Sequence, residues 1–248
     1  MSTSQRVSVC MTVYNGEKYL RQQVESILSE LRLEDELLIH DDLSTDATAK
    51  IMAEYCVDQR VKYSVNAKKL GIVKNFESLL YEAQGDYIFL CDQDDVWLPG
   101  KLKACVNALK EHMMVVTNCT VVNQDLDILT PSFFELRNSG AGIFKNIWKN
   151  TYLGCCMAFR KELLNFSLPI PKNMPMHDMW LGVMAEANGS VIFINEKLSL
   201  YRRHQSAASP TAGISNFGIL KQIKIRLILI WCLIYRMCQI KLFSVAKR

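Results

Sequence analysis

The sequence predicts an α/β protein whose mostly parallel sheet is flanked by helices. Three observations predict it. Short apolar runs recur through the first 90 residues, and the segments between them have helical spacing. The resulting strand–helix alternation is the pattern of a parallel sheet with right-handed crossovers. Polar residues cluster just after the apolar runs, where such sheets bind ligands, at the carboxyl ends of their strands.

The elements follow in order. "RVSVCMTVY" reads as a buried strand. "EKYLRQQVESILSEL" reads as a helix that sets Leu20, Val24, Ile27, Leu28 and Leu31 on one face. "ELLIH" is a second strand, followed by a helix near Thr45 to Tyr55. "VKYSV" is a third strand, followed by a helix from about Val73 to Ala83, and Tyr87–Leu90 is a fourth strand. The second half is less regular. "VVTNCTVVN" reads as a strand, "ELRNSGAGIFKNIWKN" as loop and helix, and "GCCMAFRKELL" as strand then helix. "HDMWLGVMAEANG" is a helix with a glycine stop, and "VIFI" is a strand.

Ile214 to Arg248 stands apart. "LILIWCLIY" is solidly apolar and is flanked by Lys221, Lys224, Arg226 and Arg236. The uninterrupted run is well short of the ~20 residues a spanning helix needs. Two readings stay open: a basic apolar helix lying in an anionic membrane interface, or a C-terminal helix packed on protein.

The 248 residues, 50% of them hydrophobic, suit one large domain or one domain with an appendage. The net charge of +4 is unevenly spread, because no Asp or Glu follows Glu196. Up to that residue the chain has 19 bases against 25 acids, a net of −6, while ten of the 29 Lys and Arg lie beyond it. A basic end on an acidic body suits an anionic partner. Nine cysteines without a C-x-x-C or zinc spacing indicate a reducing compartment rather than a disulfide framework. The N-terminal stretch has no signal-peptide pattern.

No G-x-G-x-x-G follows a strand and no G-x-x-x-x-G-K-[ST] occurs, so the sheet holds its ligand without a glycine cradle. Asp92-Gln93-Asp94-Asp95 is the strongest local signal. Carboxylates at a strand end cost free energy when dehydrated together, and such a cluster suits a hard cation that shares its other positions with phosphate oxygens. The bland reading is a solvated turn. In Asp41-Asp42-Leu43-Ser44-Thr45-Asp46, Ser44 or Thr45 can cap a helix, which leaves a carboxylate to accept a ring N–H from a base. His177-Asp178-Met179-Trp180 is a helix N-cap or a general base beside an aromatic platform. Tyr201-Arg202-Arg203-His204 reads as a basic turn, or as positive charge and a metal ligand near a diphosphate.

Taken in order, these stretches resemble the family 2 glycosyltransferases with the GT-A fold. The resemblance covers about Arg6 to Ser206 and rests on "VSVCMTVYNGEKYLRQQVESIL", "DDLSTDAT", "GIVKNFESLLYEAQGDYIFLCDQDDVWLPGKL", "GCCMAFRKELL", "HDMWLG" and "YRRHQSA". "DQDDVW" and "YRRH" look most like bacterial rhamnosyltransferases of surface-polysaccharide (O-antigen or capsule) assembly. The resemblance implies roles. Thr12, Tyr14 and Asn15 match the loop that holds the nucleotide, and Asp41 the contact to the base. Lys74 and Asn75 fall near the nucleotide or its diphosphate. Asp92 matches the carboxylate near the ribose, and Asp94 the ligand of Mg²⁺ or Mn²⁺. Asp178 matches the catalytic base, Trp180 lies where an acceptor sugar can stack, and His204 matches a metal or diphosphate contact. His177 departs from the pattern, since many relatives carry an acid there.

The implied protein is an inverting, metal-dependent transferase of dTDP-rhamnose. Its catalytic domain would span 1–206, with a nucleotide-binding half to about 100 and an acceptor half beyond, followed by a helix over 207–248. The implied partners are a nucleotide-sugar donor and a lipid-linked saccharide acceptor; the apolar, acid-free tail adds the expectation of an anionic membrane surface, with the chain cytoplasmic and peripheral to the inner face of the membrane. A UDP-sugar-dependent glucosyl- or galactosyltransferase of the same fold is the alternative. A sugar nucleotidyltransferase needs a glycine-rich basic loop, and "TVYNGEKYL" offers one Gly and one Lys. A non-catalytic scaffold is disfavoured by the intact carboxylates. Nucleic-acid binding is disfavoured because the tail lacks interleaved Arg and aromatics.

Overall fold

Four strands carry the parallel half of the sheet. They are β1 (Val7–Val13), β2 (Glu36–Asp41), β3 (Val61–Val65) and β4 (Tyr87–Asp92), arranged β3-β2-β1-β4 and all parallel. Helices α1 (Leu20–Leu28), α2 (Thr48–Tyr55) and α3 (Ile72–Glu82) make the crossovers. The computed structural model that gives this arrangement describes residues 5–204 and 218–246.

Strand alternation divides the core. Odd-numbered Val9, Met11, Leu37, Ile39 and Phe89 pack with Leu20, Val24 and Ile27 of α1. Even-numbered Cys10, Leu38, Ile88 and Leu90 pack with Phe76, Leu79 and Leu80 of α3. Both faces are covered, so β1, β2 and β4 read as near-continuous apolar runs with polar residues chiefly at their ends. Burying each large aliphatic side chain of α1 stabilises by roughly 1.5–3 kcal/mol.

The second half adds β5 (Val96–Trp97), α4 (Lys101–Leu109), β6 (Met114–Val122), β7 (Ile128–Thr130), α5 (Phe133–Arg137), α6 (Ile143–Trp148), β8 (Met157–Arg160), α7 (Leu164–Ser167), α8 (His177–Asn188), β9 (Val191–Arg202) and α9 (Ile219–Ala246). β8 is antiparallel to β4 and β6, and β9 runs parallel to β6 and antiparallel to β5. The full order is β3-β2-β1-β4-β8-β6-β9-β5, with β7 on β6.

Two expectations change. "VIFI" extends through "NEKLSLYR" into one 12-residue strand, so Tyr201 and Arg202 lie in β9 and not in a basic turn. Register shifts against β6 around Asn118 accommodate the polar residues between its apolar ends. The second change concerns the tail, where two arginines of α9 bond to the body. Arg236 donates from Nη1 to Phe166 O (2.9 Å) and Leu168 O (2.8 Å), and from Nη2 to Pro169 O (2.7 Å). Arg226 donates to Trp148 O at 3.0 and 2.7 Å. These bonds fasten α9 to the body, where Leu229 is fully buried and Ile225, Leu233 and Ile240 pack on the core. Residues 205–217, with the expected boundary after 206, lie outside the described residues. No described helix is long and apolar enough to cross a membrane. All nine cysteines are free thiols.

Candidate active site

Even-numbered residues at the carboxyl ends of the central strands share a face. Thr12 pairs in register with both His40 and Asp92, which aligns the ends of β1, β2 and β4. Above them lies a cavity of about 730 Å³. The loop after β1 contributes Thr12, Tyr14 and Asn15 to it, and the loop after β4 contributes Asp92 and Asp94. Asn75 of α3, Asp178 of α8 and His204 beyond β9 also line it.

The loops are tied to one another before any ligand arrives. Tyr14 N donates to Gln93 Oε1 (2.8 Å), and Gln93 Nε2 donates back to Tyr14 O (3.0 Å). Asn15, in the left-handed region at φ 50°, donates from its backbone N to Ser44 Oγ and accepts from Thr45 N, both at 2.8 Å. The Lys69 ammonium lies 3.8 Å from the centre of the Tyr14 ring. Arg202 is buried and holds the acidic loop. Its N donates to Asp95 Oδ1 (2.9 Å), its Nε to Asp94 O (2.7 Å), and its Nη2 to Gln22 Oε1 (2.6 Å). The strand-end position of Arg202, opposite the acids, is a role that its reading as part of a turn had concealed.

Three expected site residues do not line this cavity. Asp41 faces the odd-numbered side and accepts from Ser44 N and Tyr63 Oη, each at 2.7 Å. Its neighbour Asp42 lines the cavity instead. Lys74 points elsewhere and pairs with Glu77 one turn along α3. Trp180 is fully buried, and its indole N–H donates to Ser167 O at 2.7 Å, so no sugar can stack on it. Asn75 lines the wall and bridges His40 O and Asn66 Nδ2.

The carboxylates differ in their surroundings. Burial raises Asp42, but donors at Leu70 N (2.7 Å), Asn66 Nδ2 (3.0 Å) and Gly71 N (2.9 Å) outweigh it and hold the group below its ordinary range. Asp92 goes the other way. Burial and then the charges of Asp94 and Asp178 raise it well above the carboxylate range, opposed by Lys101. Asp95 is raised by burial and by Asp94 and Asp92. Lys101 is itself buried, with Nζ donating to Cys155 O and Ser199 Oγ at 2.7 Å.

At the far wall, Asp178 opens the first turn of α8 and accepts from Met179 N at 2.6 Å. Burial raises it to about 6, against backbone N–H groups of Met179 and Gly154 that lower it. His177 beside it is stacked on Phe76 at 3.9 Å and pushed down to about 3 by burial, so it is neutral at physiological pH. Neither of its ring nitrogens has a hydrogen-bond partner, although the ring lines the cavity. A buried imidazole with two orphan nitrogens is costly unless a ligand completes it.

The donor set accommodates a divalent cation. Asp94 Oδ2 and His204 Nε2 are 2.6 Å apart on the cavity wall, with Asp92 on the same wall. The unbalanced charge of the acids is relieved by a cation, and carboxylate oxygens suit Mg²⁺ or Mn²⁺. Asp92, Asp95 and Cys155 also bring one ligand atom each within 4.8 Å of the others. Cys155 and Asp95 are buried off the cavity, and a thiol is a poor partner for a hard cation.

The chain is similar to several known proteins. The chain is 29% identical over 213 residues to the UDP-Glc:alpha-D-GlcNAc-diphosphoundecaprenol beta-1,3-glucosyltransferase of Escherichia coli, covering 82% of this chain and 79% of that one. It is 28% identical over 221 residues to a dTDP-rhamnosyl transferase of Shigella flexneri, covering 79% and 72%. An uncharacterized protein of Mycobacterium tuberculosis is 28% identical over 208 residues, and the match spans 80% of this chain but 59% of that protein. Among solved structures, S. aureus TarS 1-349 in complex with UDP-GlcNAc superposes with a TM-score of 0.70 at 21% identity, over 91% of this chain and 66% of that one. A mannosyltransferase from Pyrobaculum calidifontis in complex with GDP-Man and Mn2+ gives 0.64 at 19% identity, over 83% and 59%. These likenesses establish the GT-A fold. The sequence profile of Glycosyl transferase family 2 matches residues 8–166, well over half the chain, and the protein belongs to that family.

Proposed function

We propose that the protein is an inverting, metal-dependent glycosyltransferase that moves a sugar from a nucleoside-diphosphate donor to a lipid-linked saccharide in surface-polysaccharide assembly. The observation that carries this reading is the convergence of Asp92, Asp94 and Asp178 on one cavity beside the β1 loop. The relatives use dTDP-rhamnose or UDP-glucose by their names. We take dTDP-rhamnose as the donor, with UDP-glucose as the alternative.

Thr12, Tyr14 and Asn15 would line the nucleotide, with Asp42 rather than Asp41 placed to accept a base N–H. Asp94 and His204 would hold Mg²⁺ or Mn²⁺, with Asp92 alongside. When bound, that cation offsets the charge gathering on the leaving diphosphate. Asp178 takes the proton of the acceptor hydroxyl as its oxygen bonds to the anomeric carbon, while the bond to the diphosphate breaks and leaves its electron pair there. A carboxylate held near 6 is ionised at neutral pH yet basic enough for that transfer. Neutral His177 can donate from one nitrogen to a sugar hydroxyl and accept at the other. Arg202 keeps the Asp94–Asp95 loop in place.

Asp178→Asn tests the base. Transfer should fall by ~10²–10⁴-fold, while binding of the donor nucleotide changes little. Normal turnover by this variant would contradict the assignment. A thermal-shift panel of dTDP, UDP and GDP with Mn²⁺ distinguishes the donors, and the largest stabilisation should come from dTDP.

A further inference from the structure

α9 is apolar on both sides, and only one side is covered by the body. Ile225, Leu229, Leu233 and Ile240 face the core. On the opposite side Leu220, Leu227, Trp231, Ile234 and Leu242 are all exposed, Trp231 by 70% and Leu220 by 84%. At 100° per residue these five fall within an arc of about 80°, and they run for roughly 33 Å along the helix. The neighbouring α6 adds Phe144, 86% exposed, and Trp148, 72% exposed. The Trp148 ring lies 4.6 Å from the Arg226 guanidinium, which joins α6 to the flank of α9.

Charge identifies what this strip fits. Lys224 and Lys241 border the arc, Lys149 follows Trp148, and α9 contains no acid. A second copy laid against the strip would bring lysines against lysines. A surface of anionic lipid offers apolar depth for the Trp and Leu side chains and phosphate for the lysines. Exposed tryptophans beside lysines are also what the bilayer interface favours.

We infer that the outer face of α9, with Phe144 and Trp148 of α6, is a docking surface for an anionic bilayer, on which the helix lies flat without crossing. Arg226 and Arg236 pin the helix to the protein, and Lys224 and the large apolar side chains face the lipid. α9 packs on α8, whose first turn carries Asp178. Docking therefore sets the candidate base on an element braced against the membrane. The inference needs no part of the transfer chemistry, and its test reads no activity.

The experiment is co-sedimentation of the full chain with phosphatidylglycerol/phosphatidylcholine vesicles and with phosphatidylcholine vesicles alone. It is repeated with Trp231→Glu and Lys224→Glu, each checked for an unchanged melting temperature. The wild-type chain should pellet with the anionic vesicles and much less with the neutral ones. Trp231→Glu should lower the partition coefficient by about tenfold or more, and Lys224→Glu by less. Absence of wild-type binding, or binding by both variants equal to that of the wild type, overturns the proposal. So does a dimer in light scattering that Trp231→Glu dissociates while vesicles capture nothing, since a second copy would then own the strip. Nucleotide-induced thermal shifts should be the same in all three proteins, which separates this result from the donor-site reading.

Discussion

The chain leaves two parallel strands through clusters of acids, and the two clusters are wired in opposite ways. After β2, Asp41 and Asp42 are met by neutral donors: Ser44 N and Tyr63 Oη on the first, Leu70 N, Gly71 N and Asn66 on the second. After β4, burial and neighbouring carboxylates raise Asp92 and Asp95, with Lys101 opposing on Asp92, Arg202 N donating to Asp95 and His204 bonded to Asp94. The first cluster is a turn whose carboxylates accept from protein donors, with room on Asp42 for one more. The second is held in a state that a cation would relieve. Similar sequences thus carry different chemistry, because hydrogen-bond donors stabilise a carboxylate and neighbouring carboxylates do the reverse.

Substitutions should separate the clusters sharply. Asp94→Asn should lower transfer on the order of 10²–10³-fold and abolish the Mn²⁺-dependent rise in melting temperature with nucleotide; a retained Mn²⁺ response would remove Asp94 from the cation site. A smaller effect comes from pH. Burial holds Asp178 near 6 in the folded chain, above its ordinary value, so its contribution to stability is full below about pH 4 and is lost as pH rises through 6. Asp178→Asn should therefore stabilise the protein at pH 7.5 by roughly 2–3 kcal/mol, read as a higher melting temperature, and the gain should vanish below about pH 4. A gain that persists at pH 4 would show that ionisation is not its source.

Asp41→Ala leaves Tyr63 Oη and Ser44 N without their acceptor and should cost about 1–2 kcal/mol, while the Mn²⁺ response survives. Loss of that response would make the first cluster part of the cation site. Lys74→Ala should change least. It removes a half-exposed pair with Glu77, worth under about 1 kcal/mol, and donor affinity in titration calorimetry should stay within about twofold. A tenfold loss would return Lys74 to the donor site.

β1, β2 and β4 were legible because they are buried on both faces and read as near-continuous apolar runs, while the half-exposed β3 was legible from its β-branched and aromatic residues. β5 was not, since two residues carry no period. β9 was not, because "NEK" interrupts its apolar run and only the register shift against β6 makes the interruption tolerable. The choice between Asp41 and Asp42 was within reach of the sequence. Alternation from Leu37 and Ile39 puts Asp41 with the α1-side core, and alternation from Leu38 and His40 turns Asp42 toward the cavity. Trp180 was beyond reach, because its indole N–H is satisfied by Ser167 O at the end of α7, a packing that the α8 sequence does not show. The inward role of Arg202 depends on β9 bringing residue 202 against residues 94 and 95.

The most direct test of the central claim is the anomalous signal of manganese in crystals soaked with Mn²⁺ and a nucleoside diphosphate. The account predicts one peak bound to Asp94 and His204 on the cavity wall, bridging to the diphosphate. A peak among Asp92, Asp95 and Cys155, or none at this rim while the nucleotide is bound, would contradict it.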